Sequence, residues 1–193
     1  MLLRCLLVRS EVPVDKTPMK KTKSGFTIVE LLIVIVVIGI LAAITIVAYN
    51  GIQNRTNDAA IQSDLSNYAK KIRLAEADTG SLPVAGAIRT AGVSTGSSTA
   101  FPGFTFAPSK SAYHTANLNL FYCSGVSGST PLFYIAARSK SGTAFRYHSN
   151  ATLETMGSTS LNEVNSCAGL DDGYSWAYGY NSNTSVWNGW ANN

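Results

Sequence analysis

Residues Ile28 to Tyr49 form an almost unbroken apolar run in which Glu30 is the only charged side chain. About 22 residues at a rise of roughly 1.5 Å each match a hydrocarbon core about 30 Å thick, so the run predicts a membrane-crossing helix. It is too long for the apolar region of a cleaved secretory signal peptide, and the polar sequence behind it keeps a helical pattern. Before Phe26 stand six basic residues (Arg4, Arg9, Lys16, Lys20, Lys21 and Lys23) against Glu11 and Asp15. Positive charge ahead of an apolar span predicts an N-terminus in the cytoplasm and the remainder outside. From Phe26 onward nine basic and nine acidic residues balance. The net charge of +4 therefore belongs to the N-terminus and lends no support to nucleic-acid binding by the rest.

Ile61, Leu65, Tyr68, Ile72 and Ala75 recur at spacings of four, three, four and three residues, which draws one apolar stripe along a helix. Gln62, Asp64, Asn67, Lys70, Lys71 and Arg73 read as the solvated opposite face, with the basic residues suited to the negative end of a helix dipole. Gly80 and Pro83 supply stop signals. No proline interrupts residues 26–82, so a single helix from Phe26 to about Ala77 is expected, with Gly39 and Gly51 as its weak points. Such a helix would be roughly 75–80 Å long.

Beyond Gly80 the composition shifts. Residues 80–100 are rich in Gly, Ser, Thr and Ala and read as a loop. Short β-type runs follow at Phe101–Phe106, Leu118–Cys123, Leu132–Ala137, Thr143–Tyr147 and Tyr174–Tyr180, separated by Ser-Gly turns. Leu132–Ala137 and Thr143–Tyr147 are expected to pair as a hairpin. The expected fold class is α+β: a long N-terminal helix, transmembrane in its first half and amphipathic in its second, packed on a small antiparallel sheet in a head of residues 78–193.

Three cysteines are an awkward number for a secreted protein. Removal of everything before Phe26 would take Cys5 and leave Cys123 and Cys167 as a possible pair. A bridge between them would close roughly 45 residues, worth about 3–4 kcal/mol in the chain-entropy model, and would require an oxidising compartment. Two free buried thiols are the alternative.

At the junction, "KSGFTIVELLIVIVVIGILAAI" resembles the N-terminus of type IV pilins and pseudopilins: a basic leader, Gly before an aromatic residue, then a glutamate and a patterned apolar run. The resemblance covers about 30 residues after Gly25 closely and the rest in outline. It implies that a prepilin peptidase cuts between Gly25 and Phe26 and methylates the new amine of Phe26. Glu30 would then help recruit subunits into a helical filament by pairing with a neighbouring N-terminal amine. A charged group on a lipid-facing helix costs a few kcal/mol and persists where it has a partner. The plainer reading is a glutamate that snorkels to the interface, which accounts for Glu30 but not for the Ser-Gly-Phe junction. Two features depart from the family pattern. Val47 stands where many members carry a proline, so local unwinding would rest on Gly39, Thr45 or Gly51. A leader of residues 1–25 is also long for the family, whereas a start at Met19 would give a conventional seven-residue leader.

Other motifs carry less. Gly92-Val93-Ser94-Thr95-Gly96 has the G-x-S-x-G pattern of serine hydrolases, but a catalytic elbow needs a strand before it and a helix after it, and neither is expected. His114 and His148 stand without ligand-type neighbours and read as surface or strand residues. Asp171 and Asp172 are a weak Ca²⁺ candidate, and a turn before a strand is the blander account. Arg138, Lys140 and Arg146 gather around the expected hairpin and could touch DNA phosphates, against a default of a solvated face. Asn54, Asn150 and Asn183 each open an N-x-S/T triplet, a pattern common by chance in so Asn- and Ser-rich a chain. The aromatic tail could stack on glycans, but packing within the head is the stronger expectation.

No cofactor, metal centre or catalytic residue is expected. The expectation is a structural subunit, the major pilin of an extracellular type IV pilus, with adhesion, twitching motility or DNA uptake as roles. Its partners would be copies of itself, the prepilin peptidase and methyltransferase, the pilus assembly machinery, the cytoplasmic membrane before assembly, and a surface or DNA ligand. The alternatives are a minor pilin or pseudopilin of a type II secretion or competence system, and a single-pass anchored ligand-binding or enzymatic domain.

Overall fold

A computed structural model describes residues 25–90, 93–95, 105–116 and 118–191. The chain divides into two units, Met1–Ala43 and Ile44–Asn193. Residues 1–24 of the expected leader and residues 101–104 lie outside the described residues, as do Gly92 and Gly96 of the G-x-S-x-G pattern.

In the first unit the described residues are the junction and the start of helix α1, which runs Ile28–Thr79. Its side chains here are aliphatic on every face and exposed. A helix that is hydrophobic all round requires burial in lipid or in other protein.

In the second unit α1 continues from Ile44, and Ile61, Leu65, Tyr68, Ala69 and Ile72 are buried on one stripe. That is the stripe read from the spacing from Ile61 to Ile72, with Ala69 added to it, Ala75 only half-buried at its end, and one correction on its polar side. Asp64, assigned to the solvated face, lies within it at 8% exposure. Its carboxylate accepts hydrogen bonds from the Ser109 N–H at 2.7 Å and the Ser109 hydroxyl at 3.1 Å. A buried carboxylate needs such donors, and they arrive from a loop that helical periodicity does not show. The basic residues are also corrected: none occupies the last turn of α1. Lys71 donates to the Thr105 carbonyl, and Arg73 donates to Ser149 and lies over the Phe133 ring. They tie the helix to the head instead of meeting the dipole. The helix ends at Gly80, whose φ of +76° is open to glycine at little cost. Its N–H bonds the Glu76 carbonyl at 2.8 Å.

Seven strands form one antiparallel sheet among the described residues: β1 (Ala87–Thr90), β2 (Val93–Thr95), β3 (Leu120–Ser127), β4 (Thr130–Arg138), β5 (Ala144–His148), β6 (Leu153–Gly157) and β7 (Tyr174–Tyr178). Their order is β2-β1-β7-β3-β4-β5-β6. The expected hairpin is β4–β5, registered from Tyr134 opposite His148 to Arg138 opposite Ala144. A tighter hairpin joins β3 to β4 with Ser127 opposite Thr130, and Gly128 at φ +62° takes the first turn position that such two-residue connections reserve for glycine. Three expectations fail here. The loop of residues 80–100 contains β1 and β2, because β1 finds open backbone groups along β7. Thr105 and Phe106 are not in a strand. The tail does not continue one strand to Tyr180: it breaks at Gly179, where a Cβ would come within 2.8 Å of Leu120, and a separate ribbon forms from β8 (Tyr180–Asn181) and β9 (Val186–Trp187).

Both faces of the central strands are buried. Leu120, Tyr122, Phe133, Ile135, Ala137, Phe145 and Ala177 meet the stripe of α1. Phe121, Cys123, Tyr134, Ala136, Trp176 and Tyr178 alternate to the other face, which the segment around α2 (Glu163–Ser166) covers through Leu161 and Cys167. Tyr68 sits at the centre of the first layer, 4.6 Å from the Phe106 ring and stacked 5.6 Å from Trp190. Burying each such large side chain contributes about 1.5–3 kcal/mol, and each aromatic pair adds about 0.5–1.5 kcal/mol.

Candidate functional site

The site the sequence points to lies at the start of α1. Phe26 is 83% exposed, and Gly25 precedes it in extended chain where a Cβ would meet nothing within 4 Å. Helix formation begins just after this junction because Thr27 caps it. The Thr27 hydroxyl accepts from the Glu30 N–H at 3.2 Å. The Glu30 carboxylate accepts from the Thr27 N–H and the Thr27 hydroxyl, each at 2.8 Å. This reciprocal arrangement is a capping box, which satisfies two of the helix's orphan donors. Glu30 thus has a local partner at the start of its own helix. Thr27 is the residue the sequence reading passed over, although T-x-x-E ahead of an apolar run carries the signal. Behind the cap, α1 is long and apolar enough to cross a membrane.

Residues 20–46 match the family model of the prokaryotic N-terminal methylation motif. The chain carries the processing motif characteristic of type IV pilins and pseudopilins. No curated protein and no solved structure matches it. The methylation motif spans Gly25, Phe26, Thr27 and Glu30 together with most of the exposed apolar run. It implies processing by a prepilin peptidase and assembly into pili, and the apolar helix behind it fits membrane anchoring before assembly. It points to a pilin-like or pseudopilin structural subunit.

The other named residues fall elsewhere. Gly39 and Gly51 lie inside continuous helix, and neither has a neighbour within 4 Å of an added Cβ, so no packing contact requires glycine there. Cys123 and Cys167 are joined in a disulfide with Cα atoms 5.5 Å apart, buried between β3 and the segment around α2. That segment is further held by the Asn162–Asn165 capping box and by Arg89 paired with Glu163 at 3.3 Å. The Asp171 carboxylate accepts from the Gly128 N–H at 2.6 Å, pinning the β3–β4 turn, while Asp172 lies in the turn leading into β7. Among the described residues no cluster of three or more His, Cys, Asp or Glu is placed to hold a metal.

Of the basic residues around the β4–β5 hairpin, Arg138 and Arg146 are drawn into the head and Lys140 stays exposed. Arg146 pairs with Glu154 at 2.7 Å, donates to the Asn165 and Ala168 carbonyls and lies over the Tyr134 ring. Arg138 donates to the Gly142 carbonyl. His148 meets Glu154 at 3.0 Å, and His114 bonds the backbone of Ala116. Hydrogen bonds, from Arg146 foremost and then from His148, hold the Glu154 carboxyl below the usual carboxylate range. Ser94 sits within strand β2, not on the strand-to-helix elbow that a hydrolase nucleophile needs.

Proposed function

We propose that residues 1–25 are a leader removed at Gly25–Phe26, and that the mature chain Phe26–Asn193 is the major structural subunit of an extracellular type IV pilus. The observation that carries this reading is the methylation motif set directly on an exposed helical run that is apolar apart from Glu30. In this account residues 26–77 first anchor the chain in the cytoplasmic membrane and then become the filament core. Residues 78–193 form the outward head. Cleavage frees the amine of Phe26, which is methylated and meets the Glu30 carboxylate of a neighbouring subunit. Glu30 must then leave the Thr27 cap, exchanging neutral donors for a cation in a setting of low dielectric, where charge-assisted bonds are the stronger ones. A helix-to-helix contact of this heterologous kind does not close on itself and propagates as a fibre. The subunit is a substrate of the peptidase and methyltransferase and performs no catalysis of its own. Adhesion, twitching motility and DNA uptake are roles for the assembled filament.

Mass spectrometry of the N-terminal peptide tests the processing step, with N-methylated Phe26 as the expected first residue. An intact Gly25–Phe26 bond in the membrane-inserted protein would overturn it. Sheared surface fibres test the major-subunit claim: the chain is expected as their principal component. A trace amount there would assign it instead to a minor pilin or pseudopilin of a secretion or competence system.

A further inference from the structure

Where the apolar run of α1 gives way to polar residues, the second unit contains a cleft of about 670 Å³. Tyr49, Asn50, Gln53, Asn54 and Asn57 line it from one face of the helix, and Ser111 and Lys140 close it from the head. The turn before it presents Ile44, Ile46 and Val47, all exposed. In the turn after it, Asp58 accepts a hydrogen bond from the Ser141 hydroxyl, and Ile61 opens the buried stripe. The cleft therefore marks the level at which the chain changes from side chains suited to hydrocarbon to side chains suited to a folded head. Its volume lies within the range of small-ligand sites, about 300–1,000 Å³.

Its charge is one-sided. Four amide side chains and the Ser111 hydroxyl offer donors as well as acceptors, the Lys140 ammonium offers donors alone, and no carboxylate is among the described lining residues. The Tyr49 hydroxyl accepts from the Gln53 amide at 2.6 Å, which leaves its own proton free to donate. A donor-rich, cationic pocket suits a phosphodiester, and a tyrosine at the end of an apolar span is the residue type that settles at headgroup level.

We propose that this cleft binds the phosphodiester headgroup of an anionic membrane lipid while the chain is anchored. The proposal rests on the membrane-anchored reading above. The bound lipid holds the underside of the head against the membrane surface, and extraction into a filament breaks that contact.

The test uses the full chain reconstituted into vesicles. Flotation with phosphatidylcholine vesicles reports anchoring alone. Native mass spectrometry of the chain released from mixed phosphatidylcholine–phosphatidylglycerol vesicles reports lipid choice. The expected result is co-purified phosphatidylglycerol enriched several-fold over its bulk fraction. The enrichment is expected to fall to the bulk value in Lys140→Gln and in the Asn54→Ala, Asn57→Ala double variant, and to persist in Arg55→Gln, which lies outside the cleft. A chain that floats but carries lipids at the bulk ratio overturns the lipid site alone. Undiminished enrichment in Lys140→Gln overturns it too, as does an equal loss in Arg55→Gln, which would mean diffuse surface charge. A chain that does not float overturns the anchored reading and the lipid site together.

Discussion

Residues 28–49 and residues 61–72 belong to one helix and use their apolar side chains differently. The first stretch is aliphatic on every face and exposed throughout. The second confines Ile61, Leu65, Tyr68, Ala69 and Ile72 to one stripe that seven side chains of the sheet meet. The backbone hydrogen bonds are of one kind in both, so the difference lies in what each face must find. A stripe is satisfied by one partner surface, here the sheet of the same chain. An all-round apolar surface is satisfied only by being surrounded, by lipid or by other copies. The first pattern fits membrane anchoring, and the second gives the head a core against its own helix.

The sharpest way to break this contrast is at Glu30. Glu30→Ala leaves the stripe and the sheet untouched, and it is expected to abolish filaments when the variant is the only subunit expressed. Wild-type amounts of surface fibre, counted by electron microscopy, would show that the carboxylate is not the assembly contact. The next test sets one leucine against another. Leu65→Ala is expected to destabilise the head by about 2–5 kcal/mol, because a fully buried side chain leaves a cavity. Leu32→Ala, on the exposed run, is expected to stay within about 0.5 kcal/mol of wild type. Denaturant unfolding of the detergent-solubilised full chain, followed by tryptophan fluorescence, reads both; equal losses would erase the distinction between the two halves.

A third test stays within the head. Replacing both Cys123 and Cys167 by Ser is expected to cost about 2–4 kcal/mol through the freed loop. Because the disulfide ties down the cover of the sheet face away from α1, protease cutting within residues 158–171 should rise before cutting at the α1 stripe. The smallest effect concerns pH. The Glu154 carboxyl is held low, so its contribution is fully present above its unfolded pKa and is lost as pH falls through the lower folded value. Its side chain is 46% exposed, so screening limits the contribution to below about 1 kcal/mol. Glu154→Gln should lower stability slightly at neutral pH and flatten the loss on the acid side. A variant with an unchanged acid limb would assign that limb to other carboxylates.

Much of the molecule was legible because it depends on local pattern. The span from Ile28 declares itself by length, the stripe from Ile61 to Ile72 by spacing, and the helix end by Gly80. The β4–β5 hairpin was visible in two apolar runs flanking Ser141-Gly142. The methylation motif was legible for the same reason, since it is a contiguous string of residues. Its partner Thr27 needed only the capping-box spacing to be recognised.

What the sequence concealed depended on long-range pairing. Asp64 looks solvated until Ser109, 45 residues away, supplies its donors. Ala87–Thr90 has weak strand character alone and becomes a strand because β7 offers a free edge. Arg146 looks like surface charge until Glu154 and the carbonyls after α2 gather around it. By itself the sequence determined an apolar run long enough to cross a membrane, a methylation motif at its start and an amphipathic continuation, because these are short-range properties of neighbouring side chains. Only the tertiary structure decided which polar groups are buried, which segment covers the second sheet face and where a donor-lined cleft opens beside the helix. Those depend on which distant residues arrive to satisfy hydrogen bonds that water would otherwise make.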